Sequence, residues 1–486
     1  MKAMVVVLHG ANTRGIGAYG NEWIATPTLD RLAAQGVVFD QHHADHPGDI
    51  RSLLSGCYHL PPFEGEPTHP DGIAMLQAAG VRCERILDLL EPARTIPGNW
   101  DADDADETPL PDRIAAALDR LQAHDQWLLW VESDRLIPPW EVDPQTFDAY
   151  AGEIAPVDRF AEKKAADAAQ AALEAALEAA QVEPELGAPV ANPFAGLDAN
   201  SEPEAPREPQ QPWPEPPEGE IDADDLELYD RLHNTFAAVM TEMDRELGTI
   251  WNLLEQRGLA ESCLFSVTST GGYPLAEHGV IGYSAPCLHE EATHIPWIIR
   301  LPNQQQSGRR ILALTQSVDL LPTLAAWFEQ PPLPGVHGRN ALPLIRGERV
   351  NWRQYAIFAD DFEQEISIGI RTDRWSFHLP LPADENSPFI EPQLFEKPDD
   401  PHERNDLRMQ HLDWCDALED LLDAFHTATT QAGPLPDLPL PNDPAESNDS
   451  DSENSSEHED DSAGDSGADD EADSDDAPNE SAKRRR

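Results

Sequence analysis

Basic residues are scarce in this 486-residue chain, where 33 Lys and Arg stand against 91 Asp and Glu for a formal charge of −58. That imbalance repels phosphate backbones and anionic bilayers, so nucleic acid and membrane are excluded as partners, while cationic partners or a high-salt setting are favoured. Cysteines are few. Cys57, Cys83, Cys263, Cys287 and Cys415 are odd in number and widely spaced without a CxxC, which excludes a disulfide framework and a thiolate zinc site and leaves buried free thiols. Long apolar runs are missing too. The N-terminus MKAMVVVLHG offers about five apolar residues before polar ones, short of a signal-peptide core or a membrane span. A run of this kind ended by Gly10 reads as a buried first strand, and predicts a chain that begins at its sheet and stays in the cytoplasm.

What is present suffices for a large α/β core, since 40% of residues are hydrophobic and burial efficiency rises with length. After the first strand come glycines at 15, 17 and 20, a helix around Leu29–Ala34 closed by Gly36, and a strand at Val37–Phe39. Val81–Ile86 and Trp127–Val131 read as further strands, and helices between strands indicate a largely parallel sheet covered on both faces. Leu226, Tyr229, Leu232, Phe236, Val239, Met243, Leu247, Ile250 and Leu254 recur at three- and four-residue steps, which predicts one long amphipathic helix ending near Gly258. Cys263–Val267 and Pro296–Leu301 read as strands and Asp319–Trp327 as a helix.

The organisation follows from shifts in composition. Residues 1–154 form the first part of the α/β domain and 222–350 its second part. Between them, 155–221 is an insertion: an Ala-rich helical stretch, then a Pro/Glu-rich solvated linker containing Trp213. Residues 351–433 form a C-terminal subdomain with a small antiparallel sheet. Residues 434–486 are an acidic tail in which Asp, Glu and Ser dominate and apolar residues are too few to offset its ordering entropy, and are expected to be disordered. Seventeen acids against four bases fall in 441–486, so most of the negative charge lies on the rest of the chain and describes a whole surface rather than one patch.

Several segments in order (AYGN, TPTLDRLAAQGVVF, RSLLSG, MDRELGTIWNLLEQRGLA, AEHGVIGYSAP, HEEATHIPWIIRLP, SVDLLPTLAAWF, PGVHGRNALPLIRG and LFEKPDDPHERNDL) resemble the sulfatase family of the alkaline phosphatase superfamily. The resemblance implies a large mixed sheet between helices, a C-terminal four-stranded antiparallel sheet, and an active site at the C-terminal ends of the strands. It also implies a nucleophile held on calcium or magnesium by hard oxygen ligands.

Set against that pattern, the catalytic positions are substituted. The acidic pair after the first strand becomes His9 and Gly10, and the Asp with His or Asn before the EHG triplet becomes Thr270 and Gly271. The formylglycine or Ser position, four residues before Arg51, is Pro47, with Asp49 and Ile50 following it. The Lys and His of the family's Gly-Lys-x-His step become Asp88 and Leu90, and a Lys after EHG becomes Tyr283. Arg51 alone is retained, and without a metal or nucleophile it is expected in an ion pair.

Three histidines, His42, His43 and His46, could join His9 in a replacement transition-metal site; the simpler reading is a solvated polar loop. His278 is expected in a structural hydrogen bond. The reading as a whole is a sulfatase-like pseudoenzyme that has lost the family's calcium or magnesium and acts as a binding or scaffold module toward an unknown ligand or protein. Two alternatives are an ester hydrolase with a rebuilt metal site, and an interaction protein working through its acidic tail.

Overall fold

Alternation along the first strand sets the architecture. Met4, Val6 and Leu8 fall in one buried apolar cluster and Ala3, Val5 and Val7 in another, because successive side chains of a strand point to opposite faces. Such a strand belongs at the centre of a sheet covered on both sides. The computed structural model, which describes residues 1–60, 71–90, 98–151, 210–221, 225–363, 365–381, 390–429, 435 and 438–441, places it there.

Eight strands form this sheet: β1 (Lys2–Leu8), β2 (Val37–Phe39), β3 (Arg82–Asp88), β4 (Ala102–Asp104), β5 (Trp127–Ser133), β6 (Cys263–Thr268), β7 (Trp297–Arg300) and β8 (Arg309–Ile311). Their order is β8-β2-β7-β6-β1-β5-β3-β4. Strand β7 is antiparallel to both neighbours, whereas the other pairs are parallel. Helices Pro27–Gln35, Leu110–Leu121 and Leu226–Gln256 cover the face of Met4 and Val6, and the segments around Leu53, Leu76, Leu321 and Ile345 cover the other. A second sheet of four antiparallel strands, β9 (Tyr355–Phe362), β10 (Glu365–Thr372), β11 (Trp375–Leu381) and β12 (Gln393–Glu396), buries Ile357, Ile370 and Phe377 against Leu418 and Leu422 of helix Leu412–Thr429.

The long helix starts where its cap dictates. The Asp225 carboxylate accepts the N–H of Leu228, satisfying a donor the helix leaves open, and Gly258 ends the run at φ +65°. Gly36 has a different reason from the helix-ending one that its position suggests. Its φ is −131°, and a Cβ there would lie 2.6 Å from the Ile299 carbonyl oxygen, so close approach of β7 demands the glycine.

The Pro/Glu-rich stretch is not solvated throughout. Residues 210–221 lie on the long helix: the Trp213 N–H donates to Thr235 Oγ1 (3.0 Å), and the Arg231 guanidinium sits 4.9 Å from the Trp213 ring. Gly219 and Glu220 then pair with Ile281 and Val280. Backbone groups that proline leaves unpaired within a ladder thus find partners on a neighbouring helix. The Ala-rich segment and the remainder of the insertion, 155–209, lie outside the described residues, as does most of the acidic tail. All five cysteines are free. Among the described residues no helix is long and apolar enough to cross a membrane.

Candidate functional site

The parallel pairing of β1 with β6, in register Val7 to Thr268, delivers His9–Gly10 and Thr270–Gly271 side by side at the C-terminal strand ends. His9 Nδ1 lies 2.9 Å from Thr270 Oγ1 in a hydrogen bond, and the Gly10 N–H donates to the Gly271 carbonyl at 3.0 Å. The loop carrying Pro47 closes over them, with the Gly48 N–H donating to the Thr270 carbonyl at 3.2 Å. A Cβ on Gly271 would stand 2.6 Å from the Gly48 nitrogen and 2.9 Å from the Pro47 Cα. His9, Gly10, Pro47, Thr270 and Gly271, the positions that the resemblance aligns with ligands and nucleophile, therefore converge, and all are buried.

Calcium or magnesium does not fit this set. The four positions that the resemblance aligns with metal ligands offer an imidazole, a hydroxyl and two residues without side chains, where a hard cation takes several anionic oxygens. Backbone atoms of Pro47 and Gly48 crowd the Gly271 position. The order Thr270, His9, Glu132 resembles a nucleophile, base and orienting acid, yet His9 Nε2 is 3.6 Å from Glu132 Oε2, beyond hydrogen-bond range. Thr270 is 1% exposed, so no substrate reaches its hydroxyl. The arrangement is a polar knot within the core.

The remaining positions stand apart from this knot. Arg51 turns onto Asp49: its Nε donates to Oδ2 at 2.7 Å, while its backbone N–H donates to Oδ1 at 2.8 Å. Asp88 accepts from Arg113 and from Arg135, each at 2.8 Å. Leu90 is 44% exposed. Asp88 and Leu90 line a cavity of about 340 Å³ whose walls also carry Asp106, Glu107, Glu141, Glu242 and Glu246. Tyr283 meets Tyr273 edge-on, ring centres 5.6 Å apart.

The histidine loop is not solvated. His42 and His43 are fully buried because they form a short strand paired with Thr315–Gln316. His42 Nδ1 bonds Thr315 Oγ1 at 2.9 Å, and His43 stacks on His294. His46 is held by Asp361 at 3.1 Å, with Asp49 and Asp360 at 3.5 and 3.8 Å, and these carboxylates outweigh its burial and raise its pKa to about 9. His9 faces Thr270 and Glu132 instead, so the loop and His9 build no common metal site.

His278 bonds Glu291 and the Glu403 carbonyl, a structural role. The donors that do gather among the described residues are His289, His378 and Glu403. They are scattered over more than a hundred positions with no shared spacing, and only the folded C-terminal sheet brings them together.

The sulfatase family model matches residues 143–330. The chain is 28% identical, over 36% of its length and 36% of the relative's, to the multifunctional alkaline phosphatase superfamily protein PehA of Trinickia caryophylli. It is 25% identical to the N-acetylglucosamine-6-O-sulfatase of Bacteroides thetaiotaomicron over 37% of this chain and 32% of that one. The matched part thus spans about a third of these relatives' length. Among solved structures, the phosphonate monoester hydrolase of Agrobacterium radiobacter superposes with a TM-score of 0.63 at 16% identity, covering 88% of this chain and 96% of that one. A protein solved with its substrate D-glucosamine-2-N,6-O-disulfate gives 0.64 at 16% identity, with 88% and 98% covered. The matched segment, the relatives and the shared fold point one way: residues 143–330 match the sulfatase family, and the chain has the fold of the sulfatase and phosphonate monoester hydrolase structures on which it superposes.

Proposed function

We propose that this protein is a sulfatase-family pseudoenzyme, a binding or scaffold module that hydrolyses no sulfate or phosphate ester and carries no calcium or magnesium at the family position. The observation that carries this reading is the contact of Pro47 and Gly48 with Gly271, which leaves no room for a methyl group on Gly271, a position that the resemblance aligns with a metal ligand. Loss of a nucleophile, a metal and the cationic groups removes several kcal/mol of transition-state stabilisation at each step. The cavity beside Asp88 supports the same reading, because its carboxylates outnumber Arg113 and Arg135 and repel an anionic ester.

The test is turnover. Purified protein is incubated with calcium or magnesium and a panel of aryl sulfates, phosphate monoesters and phosphonate monoesters. Rates at the uncatalysed background support the reading. Metal-dependent turnover that disappears in His9→Ala would overturn it and establish a rebuilt hydrolase.

A further inference from the structure

Away from the strand ends, metal-type donors from three distant segments meet. His289 caps the short helix Glu290–Thr293, His378 lies on β11, and Glu403 follows the second sheet. One donor atom from each lies within 4.8 Å of the other two. His289 Nδ1 is 2.9 Å from Glu403 Oε2, and His378 Nε2 is 3.9 Å from Glu403 Oε1. Ligands at about 2.0–2.1 Å around a tetrahedral ion stand roughly 3.3 Å apart, so these separations bracket what such an ion needs.

Chemistry and access agree with the geometry. Two imidazoles and one carboxylate suit zinc-class ions rather than calcium, and three protein ligands leave a fourth position open. Ser376 Oγ, 3.1 Å from His378 Nε2, places a hydroxyl beside the group. His378 and Glu403 are almost wholly buried, whereas 15% of the His289 side chain stays open to solvent and gives an entry side. The site already draws a cation: Lys397 Nζ, itself buried, lies 3.1 Å from Glu403 Oε1 and 2.8 Å from Glu290 Oε1.

We propose that His289, His378 and Glu403 bind one zinc-class divalent ion, which competes with the Lys397 ammonium for Glu403. The ion joins the segment entering β7 to the second sheet. It is independent of the strand-end position, so hydrolytic inactivity leaves it untouched.

The experiment uses untagged, metal-free full-length protein titrated with Co²⁺, followed by visible absorption and calorimetry, with Zn²⁺ added last. One Co²⁺ per chain with tetrahedral d–d bands that Zn²⁺ abolishes is the expected result. His378→Gln and His289→Gln should each weaken binding about tenfold or more, and Lys397→Met should tighten it, with circular dichroism confirming the fold. Wild-type protein without a tetrahedral Co²⁺ spectrum overturns the proposal, whether or not the variants fold. Unchanged affinity in the folded glutamine variants also overturns the site, and unchanged affinity in Lys397→Met overturns the competition.

Discussion

Replacing Gly271 with Ala tests the closed strand-end site. The added methyl would meet the Gly48 nitrogen at 2.6 Å and the Pro47 Cα at 2.9 Å, both backbone atoms that no rotamer change can move aside. Relief requires the 47–48 loop to lift, which breaks the Gly48 N–H bond to Thr270. Overpacking costs about 1–3 kcal/mol and the lost hydrogen bond about 1 kcal/mol. Reduced freedom of the unfolded chain returns about 0.4–1 kcal/mol. The net expectation is a destabilisation of roughly 1–4 kcal/mol. Gly48→Ala is the control, because nothing lies within 4 Å of its added methyl and only its φ of +85° opposes the change; its cost is about 1–2 kcal/mol. Urea unfolding followed by tryptophan fluorescence gives both values. Equal stability of Gly271→Ala and wild type would refute the filled site and return space for a metal.

Asp319 is fully buried and holds Arg353 through both oxygens while accepting the N–H groups of Gln316 and Arg339. Asp319→Ala should cost about 3–5 kcal/mol by stranding the guanidinium, and a loss under about 1 kcal/mol in denaturant unfolding would contradict that. The His46 pKa rises from 6.5 to about 9 in the fold. Its contribution to stability is therefore complete below pH 6.5 and is lost as pH climbs through 9. The stability difference between wild type and His46→Asn should shrink across that interval, and a constant difference would disprove the linkage. Finally, a charge of −58 opposes compaction, so the thermal midpoint should rise as KCl goes from about 0.1 M to about 1 M, where screening shortens from about 10 Å to about 3 Å. A midpoint unchanged by KCl would show that the surface acids do not repel.

Legibility from sequence followed the range of the forces involved. The first strand and β6 are visible as short, largely apolar runs and the long helix as a periodic apolar stripe, all local properties. The family resemblance extended that to the large mixed sheet and the small antiparallel sheet. What escaped depends on contacts distant in sequence. His42 and His43 look like loop residues until Thr315 supplies a strand partner. Trp213 lies in a proline-rich stretch whose composition says linker, and only the flank of the long helix shows where its backbone groups go. His289, His378 and Glu403 carry no common spacing, since two sheets and a loop must fold before they meet. Gly36 announces a helix end correctly, but the pressure that selects glycine comes from Ile299.

The docked segment around Trp213 also bears on where the insertion leaves and rejoins the fold. Tyr150, just before the undescribed part of the insertion, bonds Thr241 through its hydroxyl, and Trp213, just after it, bonds Thr235. Both flanks are thus moored to one helix, at points six residues or about 9 Å apart along its axis. Closing so small a gap sets almost no demand on the length of chain between the moorings, because closure cost grows only slowly with loop length. The two moorings therefore fix where the chain leaves the long helix and where it returns to it, whatever length of chain joins them.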